Sequence, residues 1–226
     1  MRVSPTILAA GAALLVPHAA QAAYLAPIDP CYRSLDEQRR ETVPVRASGF
    51  TPGEHVNVYV DRELVQQDVV VLTDGQISGG VPAPYVEKGE RPFTLTVTEV
   101  EQPTNTASVM SRVTALSLRL KPRRAAPQRR VRVIGRGFID GDLVYAHYVR
   151  KGKLRKTVKL GAPQGPCGRV DVKRRQIPLR RPALGRWKLQ VDNQPAYSGR
   201  PDSVFMTLSI TVTENPRPVF PTRRPD

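Results

Sequence analysis

Residues 45–61 read VRASGFTPGEHVNVYVD, and residues 131–149 read VRVIGRGFIDGDLVYAHYV. Both hold Gly-Phe, two residues, Gly, an acid, and then an apolar run with strand character. A shift of 88 residues lays Gly49-Phe50 on Gly137-Phe138 and Gly53-Glu54 on Gly141-Asp142. Val56, Val58 and Val60 then meet Val144, Ala146 and Tyr148, alternate positions that share one face of a strand. The glycines allow a tight bend, and Phe50 and Phe138 are expected to plug a core. A block that returns before a second alternating strand is a building instruction used twice.

The correspondence resumes downstream. Phe93-Thr-Leu95-Thr-Val97 matches Trp187-Lys-Leu189-Gln-Val191, each a half-buried antiparallel pattern opened by a turn glycine, Gly89 or Gly185. Leu116-Ser-Leu118-Arg-Leu120 is paired with Leu208-Ser-Ile210-Thr-Val212 as the closing strand of each copy. The chain holds 22 Pro and 16 Gly and is only 6% aromatic. With frequent Val and Thr, that balance favours many short strands separated by turns. The fold class expected is all-β: two tandem β-sandwiches of 80 to 90 residues. The domain reading is 43–120 for the first and 131–213 for the second. Residues 121–130 form a stiff basic linker, 23–42 an N-terminal extension and 214–226 a Pro-rich tail.

Tandem strand-rich copies that open with Gly-Phe-x-x-Gly-acid resemble the immunoglobulin-like modules of exported bacterial proteins. The resemblance covers about residues 43–213. It implies two immunoglobulin-like sandwiches and roles in spacing, adhesion or protein interaction at the cell envelope. Neither copy holds its own Cys pair, and Trp187 aligns with Phe93, which makes it a core residue.

The first 22 residues carry one basic residue, Arg2, an apolar run from Ile7 to Val16, and an Ala20-Gln21-Ala22 exit. This reads as a cleaved signal peptide, too short to span a bilayer, with no transmembrane segment in the mature chain. The localisation expected is secreted or cell envelope. Outside the cytoplasm a Cys31–Cys167 disulfide can persist; the alternative is two separate thiols. Neither Cys has a second Cys or His nearby, so metal spacing is missing.

No catalytic, cofactor or metal residues are expected. The histidines left after export, His55 and His147, show no nucleophile partner, and no G-x-S-x-G, H-E-x-x-H or Walker loop is present. Asp140-Gly141-Asp142 hints at calcium, but the surroundings are basic and the other copy has one acid there, so a turn is favoured. A phosphate cradle would feed a helix, whereas this block feeds a strand.

Charge separates the copies. Residues 31–120 hold nine Lys and Arg against twelve Asp and Glu, a net of −3. Residues 121–213 hold twenty-two Lys and Arg against five Asp, a net of +17. The cations most open to a polyanion are Arg129, Arg130, Arg150, Lys151, Lys153, Arg155, Lys156, Lys173, Arg174 and Arg175. Partners to match are wall polymer, acidic glycan or extracellular DNA, or an envelope protein. No helix-turn-helix or RNA-recognition signature points to a specific nucleic acid. Against this stands a solvated charged face that only deters edge-to-edge aggregation.

Overall fold

In a computed structural model of the chain, residues 22–198 and 204–210 are described. Most of the expected leader and the whole Pro-rich tail therefore lie outside the described residues. The strands are β1 (Tyr24–Leu25), β2 (Tyr32–Ser34), β3 (Thr42–Ser48), β4 (His55–Val60), β5 (Glu63–Val70), β6 (Ile77–Pro82), β7 (Glu90–Glu99) and β8 (Thr106–Ala115). They are followed by β9 (Ser117–Lys121), β10 (Arg130–Arg136), β11 (Val144–Arg150), β12 (Lys153–Gly161), β13 (Val170–Arg175), β14 (Gly185–Asp192) and β15 (Val204–Ile210).

These strands make two pairs of facing sheets. In the first pair, β1-β3-β6 faces β2-β8-β7-β4-β5; in the second, β9-β10-β13 faces β12-β11-β14-β15. Apart from the parallel β2–β8 contact, every strand pairing among the described residues is antiparallel. Each pair encloses its own apolar cluster. The alternation seen in sequence decides what enters them. Val56, Val58, Val60, Phe93, Leu95 and Val97 are buried in the first, and Val144, Ala146, Tyr148, Trp187, Leu189 and Val191 in the second. In both, a hairpin in the larger sheet (β4-β5, β11-β12) is followed by one strand that returns to the smaller sheet (β6, β13) and by two that close the larger (β7-β8, β14-β15), an immunoglobulin-like arrangement.

The repeated block folds the same way twice. Gly49 and Gly53 have φ of 83° and 82°, and Gly137 and Gly141 have 85° and 78°. Phe50 and Phe138 are both buried. Each donates its N–H to a second glycine, Phe50 to Gly75 O (3.3 Å) and Phe138 to Gly168 O (3.2 Å). A side chain at Gly49 would strike the backbone of Ala22, and one at Gly137 that of Leu116. The chain thus passes each bend glycine just before its own first strand, β1 or β9.

That parallel corrects two sequence expectations. Leu116–Leu120 alternates as a strand should, but β9 pairs with β10, with Leu120 opposite Val133 and Leu118 opposite Gly135. It opens the second sandwich instead of closing the first, and Leu120 is buried in the second cluster. β8 closes the first sandwich, so β8 and β15 are the equivalent last strands. Residues 122–129 connect β9 to β10 within the second sandwich, where Ala125 packs on its core. Likewise β1 and β2, in the stretch read as an extension, join opposite sheets of the first sandwich, and Leu25 and Tyr32 enter its core. Alternation identifies a strand; it does not say which sheet receives it, and strands of two or three residues are too short to show a period.

Leu116 alone separates β8 from β9. Around it, Cys31 and Cys167 form a disulfide that joins the two sandwiches, as expected from the cysteine count. Beside it Arg33 contacts Glu41 and Asp140, both at 2.6 Å, with its side chain 13% exposed. Burial works against that guanidinium's charge, but Glu41 and Asp140 outweigh it and raise its pKa. Arg136 reaches Glu90 at 3.5 Å. Asp140, weighed as a calcium ligand, is thus committed to an arginine of the first sandwich.

Candidate functional site

The end of the second sandwich furthest from Leu116 is built from the end of β9, the start of β10, the β11–β12 hairpin, the end of β13 and the start of β14. Register brings these ends level: Arg130 lies opposite Arg175, Arg132 opposite both Lys121 and Lys173, and Arg150 opposite Lys153. Two connections lie against each other across this pole. Gln176 and Ile177 donate backbone N–H to Arg129 O (3.0 Å) and Pro127 O (2.9 Å), and the Gln128 amide donates to Leu179 O.

All ten cations proposed from sequence sit at this pole. Residues 121–130, 150–156 and 173–181 hold five Lys or Arg each and no Asp or Glu. Thirteen of the fifteen are exposed; Arg150 and Arg174 are half-buried. The described acids of the second sandwich lie toward the other end. Asp140 and Asp142 are in the bend, Asp171 is near the start of β13, and Asp192 ends β14. The charge excess is therefore polarised along the strands, with the pure cationic end facing away from the first sandwich.

The outer face of β9-β10-β13 continues the pole. Lys121, Arg132 and Lys173 form one cross-strand row, a juxtaposition of like charges that costs stability. Asp171 relieves it in part. Arg132 binds it through Nε and, at 2.6 Å, through Nη2, and Arg169 binds it at 2.9 Å. Arg132, against the opposing effect of burial and with Arg169, draws the Asp171 carboxyl down to about 2. Asp171 thus stays charged and neutralises Arg132, but not the two lysines beside it.

The cations differ in how they are held. Arg150 Nη2 donates to Leu184 O at 2.7 Å, and its guanidinium lies 6.0 Å from the Trp187 ring. Arg174 spans the gap between β13 and β12, donating from Nη2 to Leu160 O (3.1 Å) and from Nη1 to Lys173 O (3.0 Å). Below it is a cleft of about 210 Å³ lined by Arg130, Tyr148, Val158, Lys173, Arg174, Arg175 and Pro178. Tyr148, on the apolar face of β11 as its alternation requires, is 2% exposed and belongs to the core. Burial, offset slightly by Arg174, pushes its hydroxyl up to about 12.

Sequence reasoning missed a second polar group. His147 is on the outer face of β11, as its alternation requires, yet it is fully buried beneath residues 193–198. Its Nε2 faces two acceptors, Asp192 Oδ1 (3.2 Å) and Gln194 O (3.1 Å), so Nε2 donates; in the neutral ring Nδ1 then accepts from Thr157 Oγ1 (3.0 Å). Gln190 Nε2 donates to Asp192 Oδ2 (2.9 Å) and Ser198 O (2.6 Å). Burial alone would raise the Asp192 carboxyl, but the bonds from His147, Gln190 and Gln194 N–H outweigh it and lower it. Both imidazole nitrogens are engaged and no solvent reaches the ring, so the group fastens the 193–198 segment to the sheet. The sequence signal was three polar residues, His147, Gln190 and Asp192, on one outer face.

No family model matches the sequence, and no curated protein matches it. The solved structures similar to it include immunoglobulin and fibronectin-III proteins. Bovine butyrophilin is 9% identical with a TM-score of 0.29, covering 84% of this chain and 99% of that one. The N-terminal eight immunoglobulin domains of Down Syndrome Cell Adhesion Molecule are 12% identical with a TM-score of 0.31, covering 84% of this chain and 27% of that one. The central fibronectin-III array of RIM-binding protein is 12% identical with a TM-score of 0.26, covering 85% and 70%. At such scores the fold rests on the strand pairings themselves.

Proposed function

We propose that the chain is an exported, non-catalytic interaction protein of the bacterial cell envelope that docks on an anionic polymer through the acid-free pole of its second sandwich. The observation that carries this reading is the placement of fifteen cations and no acid on three connections that meet at one end. Repulsion among them raises the free energy of the free protein, and an anionic partner relieves it. Wall polymer, acidic glycan and extracellular DNA all supply the required charge; nothing at the pole resembles a base-reading element.

The two sandwiches act as tandem domains meeting at Leu116, with the first serving as spacer or protein-binding module. The junction supports the spacer role. A disulfide and the Arg33–Asp140 pair hold the second sandwich with its cationic end directed away from the first. The test is retention of the whole mature chain on a heparin-like resin. Retention that weakens steeply with added salt is expected; passage through the resin at low salt rejects the reading.

A further inference from the structure

We infer that the cleft between the β12 and β13 edges seats one tetrahedral oxyanion, the phosphate or sulfate ester group of the polymer. This rests on the polymer reading above, but its evidence is local. β12 and β13 are the edge strands of the two facing sheets, and they leave an opening about 210 Å³ in volume between them. Three arginines, one lysine and one phenol line it together with Val158 and Pro178, and no acid does.

The donors are placed before any ligand arrives. Arg174 is half-buried and fixed across the opening by the Leu160 and Lys173 carbonyls. Those bonds use two of its five N–H donors. Tyr148 forms the floor. Among the described residues its hydroxyl meets only the Arg175 carbonyl, at 3.5 Å, the outer limit of a hydrogen bond, and so remains a donor for something better placed. Its raised pKa keeps that proton in place throughout the physiological range. Arg130, Lys173 and Arg175, on the exposed face of β10 and β13, line its rim.

Donors from a floor, a strap and a rim suit a group with oxygens in several directions. A carboxylate offers two oxygens in one plane and leaves part of this set unused. The low-dielectric floor of Val158 and Tyr148 strengthens charge-assisted bonds relative to the open pole. The pole would then attract the polymer at long range, and the cleft would select among its groups.

The experiment is calorimetric titration of the whole chain, at fixed ionic strength, with inorganic phosphate, inorganic sulfate and acetate. Phosphate and sulfate are expected to bind at one site about tenfold or more tightly than acetate, the value of one charge-assisted bond. Whichever of the two binds tighter identifies the ester. Arg174→Met should abolish the preference, and Arg130→Gln, at an exposed position, should weaken it without touching the core. Equal binding of all three anions, or a preference that survives Arg174→Met in a folded protein, overturns the inference. A parallel comparison of sulfated dextran, polyphosphate and polyglutamate separates the two readings. Retention of all three polymers without phosphate or sulfate selectivity removes the cleft and keeps the pole. Selective anion binding with no polymer retained keeps the cleft and removes the polymer.

Discussion

At the residue scale the fold turns on what stands beside the repeated phenylalanines. Phe138 fills the second core at 1% exposure, so Phe138→Ala should cost about 3–5 kcal/mol in urea unfolding. Gly168 is a sharper test. It has φ of +57°, and any side chain there meets the Phe138 carbonyl. Gly165 has φ of +69° with nothing within 4 Å. Both alanine variants incur the left-handed strain of about 1–2 kcal/mol, and Gly168→Ala should lose clearly more; equal losses would show that the close approach is not real. Asp192 carries a pH signature. Its pKa is lowered on folding, so the unfolded chain takes up the proton first. Its contribution is complete above the ordinary carboxyl range of about 4 and is lost as pH falls through the lowered value. Asp192→Asn should flatten that acid limb and cost about 2 kcal/mol near neutrality, read from unfolding midpoints across pH.

At the element scale, much of the plan is legible in the sequence. The alternation of Val56–Val60, Phe93–Val97 and Trp187–Val191, and the bend before β4 and β11, follow from side-chain period and glycine placement. What is not legible is partnership. Ser117–Lys121 has the period of any strand, and only its register with β10 assigns it to the second sandwich. His147 shows the same limit: its face follows from alternation, but its burial depends on residues 193–198 folding over it, which no local pattern announces. The assignment of β9 is testable. Leu120→Ala should destabilise the second sandwich by about 2–5 kcal/mol. Amide exchange should quicken in β10 and β13, while β3 and β7 keep their protection; faster exchange confined to β7 and β8 would return the strand to the first sandwich.

At the scale of the whole molecule, two features set what the chain does: a tied junction and a polarised charge. The disulfide closes a loop of 136 residues, which by loop entropy stabilises the folded chain by about 4–5 kcal/mol. A Cys31→Ser, Cys167→Ser variant should unfold at correspondingly lower urea; an unchanged midpoint would show that the link is dispensable. The sequence displayed the charge difference between halves, and the ten chosen cations fall together because hairpin and strand ends converge on one pole. What it could not display was the segregation of Asp140, Asp171 and Asp192 to the other end. The central claim is that position, not total charge, makes the binding surface. The most direct measurement compares two full-length variants that lose the same charge, in titrations with a sulfated polymer. One replaces Arg129, Arg130, Lys173 and Arg175 with Gln; the other replaces Arg39, Arg46, Arg62 and Lys88, all exposed on the first sandwich. The pole variant should lose most of its affinity and much of its salt dependence, while the other binds almost as the parent does; equal losses in both would contradict the account.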